Sequence, residues 1–427
     1  MRHLITAFIF CIVFSINLNA EVTVEECVEK ATANYPIVKK YGLITATKEI
    51  ELSDINKSWL PQIGIYGQLT AQNSVPSFPE ALTNVLGNMG QSFKGLDKIQ
   101  YKAGIDLSQT LWDGGVSGAR RETVRSRAAV EQAAVGVELY SVRRCVENLY
   151  FAILLTEEQI TQSRITYNVL MSNLGNLRSM LRNGTAMQTD LDMVEAQALV
   201  LNQNIVQARS AADGYRKVLE LYIGESLAGQ NLVRPKAEIP LSSESNRPEL
   251  QLFDRQIAAN NATEHLSDRS LFPKIGLFAQ TYYGYPGFDY FRSMVNRDLS
   301  FNLIAGVRIV WNIDSFYFKK NISHKTSVNN QNIDTDREMF LFNSNLQTAS
   351  QMETIKGLKE IMDNDSRIIA LRKNVRKAAE SQLENGIIDA TALLAKISDE
   401  NIAELTAKFH EIQFLQEIYR LKYTLNR

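Results

Sequence analysis

The sequence predicts a mostly α-helical chain with a transmembrane β part, built as a tandem repeat in which each half holds two β-strands and a long coiled-coil helical hairpin. Three observations carry that reading: apolar residues at alternating steps of four and three over long proline-free runs, short stretches alternating apolar with polar, and an echo of the first half in the second.

The long helices are the strongest signal. Val135, Leu139, Val142, Val146, Leu149 and Ile153, then Ile160, Tyr167, Leu170, Leu174, Leu177 and Leu181, keep a 3.5-residue period that only Thr156 and Ser163 interrupt. Such a period, held over several heptads, supercoils packed helices with a left hand. From Val116 to Arg182 there is no proline, so the helix spans roughly 67 residues, or about 100 Å at 1.5 Å per residue. Asn183, Gly184 and Thr185 then break the run, because Gly and Asn take the left-handed C-cap conformation. The period resumes as Leu191, Val194, Ala198, Leu201, Ile205, Ala208, Ala212, Tyr215, Leu219 and Tyr222, which makes an antiparallel hairpin.

The same plan returns about 200 residues later. Trp59, Leu60, Pro61, Gln62, Ile63, Gly64 and Ile65 are echoed by Leu271, Phe272, Pro273, Lys274, Ile275, Gly276 and Leu277; Tyr35-Pro36-Ile37 is echoed by Arg247-Pro248-Glu249. Leu383, Glu384, Asn385, Gly386 and Ile387 interrupt a second long helical stretch as Leu181 to Thr185 interrupt the first. The first repeat is placed at 21–223, with strands at about 60–70 and 99–112 and a hairpin at about 116–223. A connection rich in Ser, Gly and Pro fills 224–246. The second repeat takes 247–427, with strands at about 271–283 and 298–312 and a hairpin at about 316–425.

Each strand has one apolar side. In the second, Ile99, Tyr101, Ala103, Ile105, Leu107 and Leu111 oppose Gln100, Lys102, Gly104, Asp106, Ser108 and Thr110; in the fourth, Leu299, Phe301, Leu303, Ala305, Val307, Ile309 and Trp311 oppose Ser300, Asn302, Gly306, Arg308 and Asn312. The first (Pro61, Ile63, Ile65 and Leu69 against Gln62, Gly64 and Gln68) and the third (Ile275, Leu277 and Ala279 against Lys274, Gly276 and Gln280) alternate more weakly. A half-buried sheet in a soluble domain gives the same alternation. Lipid is the simpler cover, since the rest of the chain offers no second layer and Trp59, Tyr66, Trp112, Tyr283 and Trp311 cluster near strand ends. Membrane β-structure must close, and four strands are too few to close alone, so several copies are expected.

The first twenty residues read as a secretory signal: Met1, Arg2 and His3, an apolar run from Leu4 to Ile16, and a polar exit through Asn17 and Asn19 to Ala20, where cleavage is expected. The apolar run is about 13 residues, short of the roughly 20 that span a bilayer as a helix. Lys and Arg (46) balance Asp and Glu (47), so charge points to no nucleic-acid partner. Cys27 and Cys145 and the scattered His265, His324 and His410 lack metal-site or redox spacing, and no HExxH, GxSxG, GxGxxG or P-loop pattern occurs. No catalytic residue, metal or cofactor is expected.

An exported tandem repeat with two strands and a long helical hairpin in each half resembles the TolC family of outer-membrane efflux proteins, from about Val22 to the end of the chain. The resemblance implies a homotrimer: a 12-stranded β-barrel in the outer membrane, continuous with an α-helical tunnel in the periplasm. A periplasmic adaptor protein would dock it to an inner-membrane pump of the RND, ABC or MFS type for efflux or secretion, with outer-membrane lipid around the barrel. It makes 72–98 and 285–297 the outward loops, and Asn183-Gly184-Thr185 and Asn385-Gly386-Ile387 the adaptor-docking tips, with Asn in place of the Val of the family's Val-Gly turn. Thr189 and Asp190 match the family's Thr-Asp pair in the closed-state network, and Asp389 is a further gate candidate. The arginine that some members use at the gate falls at Ile388, and the constriction aspartates fall near Ala392 and Ala395. Asp190, Asp192 and Asp389 also suit a plain helix start, where acids complement the dipole. A periplasmic adaptor and a channel-free coiled-coil protein are the alternatives; an adaptor carries one hairpin between β halves, whereas this chain duplicates it.

Overall fold

The computed structural model describes residues 21–88, 95–240 and 244–427. The signal expected at 1–20 lies outside them, as do 89–94 of the first outward loop and 241–243 of the connection between repeats. In chain order the elements are β1 (Glu21–Val22), α1 (Val24–Asn34), α2 (Lys39–Lys57), β2 (Gln62–Ala71), α3 (Glu80–Asn88), β3 (Ile99–Trp112), α4 (Val116–Arg182) and α5 (Gln188–Ile223). The second half continues with β4 (Asn231–Leu232), α6 (Pro248–Arg269), β5 (Lys274–Tyr285), α7 (Tyr290–Asn296), β6 (Ser300–Val310), α8 (Phe316–Glu384) and α9 (Ala390–Leu425). The short helices α3 and α7, inside the loops, are elements that the hydrophobic pattern did not announce.

Two compact units cut across the sequence halves. One takes the chain up to Tyr41 with Ala134–Gln251 and Arg337–Arg427; the other takes Gly42–Ala133 and Leu252–Asp336. The division follows pairing rather than chain order, because strands from both halves enter one sheet and helices from both halves share one core.

In the strand unit, β2, β3, β5 and β6 form an antiparallel sheet in that order, and β2 and β6 each leave one edge unpaired. At one end of the sheet the Trp311 indole donates to the Leu271 carbonyl at 2.8 Å, and the Gln109 amide donates to the Trp59 carbonyl at 3.1 Å. There Asp113 ends β3 and caps α4, accepting from the backbone N–H groups of Gly115 (2.9 Å) and Ser117 (2.6 Å). The accompanying helices hold by polar bridges: Arg121 to Asn56, Arg127 to Glu51, Asn330 to Asn260 and Asn261, and Lys319 to Asp268. Ile55 is the buried residue of α2 and Ala262 that of α6. So little buried apolar surface leaves these helices dependent on polar contacts.

The helical unit has a dense core. Cys27, Val146, Phe151, Ile153, Leu219 and Ile412 are fully buried where α1, α4, α5 and α9 meet. The Tyr150 hydroxyl lies 2.7 Å from the Val22 carbonyl and 2.6 Å from that of Val233, beside the parallel pairing of β1 with β4. Cys27 is buried and free, and Cys145 is exposed and free. On α5 the seam departs from strict alternation: Tyr215 is exposed, and the buried positions step from Ala212 to Leu219 and Ile223. A straight helix drifts about 20° per heptad against a 3.5 repeat, which brings Arg216 to the seam in place of Tyr215. There its guanidinium Nε bonds Glu157 at 2.9 Å.

A buried carboxylate sits at the edge of this core. Glu147 is 5% exposed and pairs with Arg143 at 2.8 Å. Burial pushes its pKa from 4.5 to about 7, with Arg143 opposing the rise. A carboxyl whose folded pKa is raised keeps a proton that the unfolded chain has released, so stability falls as pH rises from about 4.5 towards 7. Thermal unfolding at pH 5 and pH 8 should show wild type losing on the order of 3 kcal/mol more than Glu147→Gln across that window. Equal pH dependence in the two proteins would assign the slope to other groups.

Candidate functional site

The two hairpin turns, both in the helical unit, are built alike. At the first, the Thr185 N–H donates to the Met180 carbonyl (2.9 Å) and the Gly184 N–H to that of Leu181 (3.1 Å), with Gly184 at φ +76°. At the second, the Ile387 N–H donates to Gln382 (2.8 Å) and the Gly386 N–H to Leu383 (2.9 Å), with Gly386 at φ +72°. These are paired six-to-one and five-to-two bonds around a left-handed glycine, which satisfy the last carbonyls of α4 and α8. Asn183, Gly184, Thr185, Asn385, Gly386 and Ile387 are all exposed, and Ile387 is 70% exposed.

Beneath the turns four helices share an apolar cluster. Leu174 and Leu177 of α4, Leu191 and Val194 of α5, Leu383 of α8 and Leu393 of α9 are each buried in it, and Ile388 packs against it half-buried. The aspartates beside the turns are engaged with backbone. Asp389 accepts from the Ala392 N–H at 2.8 Å as the N-cap of α9, and Asp190 accepts from the Met187 N–H at 2.9 Å. Asp192 accepts from the Gln188 amide at 2.7 Å, and Thr189 is exposed.

Farther from the turns, α9 is tied to its neighbours by buried polar groups. Arg376 of α8 bridges Glu380, at 2.5 Å, and Glu400 of α9, which is 7% exposed. Thr166 donates to Asn401 at 2.5 Å, and Gln162 to Glu404. Arg376 and Glu380 are an i,i+4 pair on α8, and Glu400 joins them once the Gly386 turn folds α9 back.

The strand unit presents a different surface. Register sets one side of the sheet: Ile63 lies opposite Leu107, Ile65 opposite Ile105, Leu277 opposite Val307, and Tyr283 opposite Phe301. Among the described residues nothing covers these side chains: Ile65 is 84% exposed, Leu69 75%, Phe301 70% and Val307 62%. The other side carries Gln68, Lys102, Asp106, Gln280 and Arg308. Tyr66, Phe278, Tyr282 and Ile304 share that polar side, which simple alternation did not separate out. Gly104 lies between Tyr66 and Tyr282 across the two neighbouring strands, and a Cβ there would sit 2.2 Å from the Thr281 carbonyl oxygen, so only glycine fits. Among the described residues, no helix is long and apolar enough to cross a membrane, and no cluster of His, Cys, Asp and Glu could hold a metal.

The turn chemistry makes a direct prediction. Gly386→Ala meets no steric neighbour, yet it forces an L-residue to positive φ and should lower stability by about 1 kcal/mol. Asp389→Ala should lose about 1 kcal/mol of capping, while Asp389→Asn keeps the cap and the stability. Thermal unfolding of the three variants checks both, and a loss in Asp389→Asn equal to that in Asp389→Ala would show that the charge matters more than the cap.

No protein-family model matches the chain, and no curated protein matches it. Solved structures do. The outer membrane protein VceC from Vibrio cholerae is similar with a TM-score of 0.68 at 10% identity, over 94% of this chain and 95% of that one. The CmeC outer membrane channel of Campylobacter jejuni gives 0.65 at 14% identity, over 94% and 85%; the open-state MtrE outer membrane channel of Neisseria gonorrhoeae gives 0.65 at 13%, over 94% and 88%. Across nearly its whole length, this chain has the fold of these outer-membrane channel structures.

Proposed function

We propose that the chain is an outer-membrane channel of the TolC type, a passive duct through which an efflux or secretion system exports its cargo. Three copies close one barrel, and the helical unit forms the periplasmic tunnel. The observation that carries this reading is the sheet: a side without a single charged residue, left uncovered, on four strands with two open edges. Water would not leave so apolar a face bare, and hydrocarbon would not tolerate the open edges, so lipid on one side and further copies at the edges satisfy both at once.

Other features support the same arrangement. Trp112, Trp311, Phe272, Phe316 and Phe318 are exposed around the end of the sheet where the long helices start, as an interfacial aromatic belt requires. In the helical unit, Ile361, Ile368 and Val375 of α8 recur every seven residues and stay exposed, as do Leu199 and Val206 of α5. These are unpartnered coiled-coil seams, suited to helices of neighbouring copies. The duct does no covalent chemistry, and energy comes from an inner-membrane pump joined by an adaptor at the turns Asn183-Gly184-Thr185 and Asn385-Gly386-Ile387. Opening is an iris-like untwisting of the second hairpin, with Thr189, Asp190 and Asp389 beside the moving tips.

Detergent extraction of the outer membrane should yield a heat-sensitive trimer that opens channels in a planar bilayer; a monomer without conductance would remove the duct reading. For the gate, Asn183→Cys and Asn385→Cys joined between neighbouring tips by a cleavable thiol crosslinker should abolish export, and reduction should restore it. Export that persists with the tips locked would rule out the untwisting motion.

A further inference from the structure

The polar side of the sheet carries an unbalanced charge. Its charged side chains are Lys102, Asp106, Lys274 and Arg308, three bases against one acid, whereas the apolar side has none. The acid is engaged: Asp106 accepts from the Gln280 amide at 2.7 Å. Two of the bases are held flat against the wall by aromatic rings on the neighbouring strand. The Lys102 ammonium lies 5.3 Å from the Tyr282 ring centre, and the Arg308 guanidinium lies 4.7 Å from that of Phe278. Pinned in this way they keep their charge at the surface without filling the space in front of it. The connections beyond the sheet do not offset them, since 72–98 holds Glu80 and Asp97 against Lys94 and Lys98, and 286–299 holds Asp289 and Asp298 against Arg292 and Arg297.

We propose that the barrel segment favours anionic solutes, and that Lys102 and Arg308 set this preference. The inference rests on the three-copy duct reading, which turns an excess of two positive charges per chain into six around one lumen. Charge rings of one sign select ions in pores, and low-dielectric walls focus their field across the opening.

The test is the reversal potential of the purified trimer in a planar bilayer under a potassium chloride gradient. Wild type should prefer chloride over potassium by about threefold, and Lys102→Gln with Arg308→Gln should bring the ratio to about one. The charge-keeping pair, Lys102→Arg with Arg308→Lys, should retain the wild-type ratio and guard against a folding defect in the first pair. A potassium preference in wild type, or a ratio that the neutral pair leaves unchanged, overturns the inference while leaving the duct intact. A trimer that conducts nothing overturns the duct reading and this one with it.

Discussion

In the proposed membrane duct, an open β-edge in hydrocarbon is the constraint on which the rest of the structure depends. Each unpaired N–H or C=O at depth costs several kcal/mol, and four strands in the order β2, β3, β5, β6 leave two such edges. Burying them inside one chain would require the sheet to curl upon itself, which so few strands cannot do. Sharing them between copies, as in the proposed assembly, resolves the problem. Each half of the chain supplies two of these strands, and β3 meets β5 between them with an extended antiparallel register.

The helical unit answers a different demand. Its long helices are held in two ways, by apolar packing and by buried polar pairs. A fully buried core fixes α1, α4, α5 and α9, whereas α9 meets its neighbours nearer the turns through Arg376 to Glu400, Thr166 to Asn401 and Gln162 to Glu404. Buried polar pairs have one good geometry and specify register more sharply than leucines do. The apolar cluster at the turns then joins both hairpins below that fixed register.

Much of this was legible in the residues. The 67-residue α4 stands where heptad spacing and absent proline place it, and both turns fall at Asn-Gly, where the glycine takes the left-handed cap without a Cβ penalty. Strand sides were readable from alternation, since a two-residue period leaves no freedom once one face is apolar. What pattern could not supply was partnership across long sequence distances: Gly104 set between Tyr66 and Tyr282 in the register, Lys102 laid over Tyr282, Glu400 completing the Arg376 pair. The 3.5-residue count also misplaced Tyr215, because drift moved the seam to Arg216. The aspartates at the turns were ambiguous in sequence, and their bonds to backbone N–H groups give Asp190 and Asp389 a structural task whatever else they do.

The most direct measurement is oxidative crosslinking between the two sheet edges in native membranes. With Cys27 and Cys145 replaced, a cysteine at Leu303 of β6 would be combined in turn with one at each position from Ile63 to Leu69 of β2. Edge pairing between copies predicts covalent dimers and trimers on denaturing gels, with yields that rise and fall every second residue along β2 as side chains alternate faces. Chains that stay monomeric at every position would contradict a shared barrel and require another cover for the apolar face.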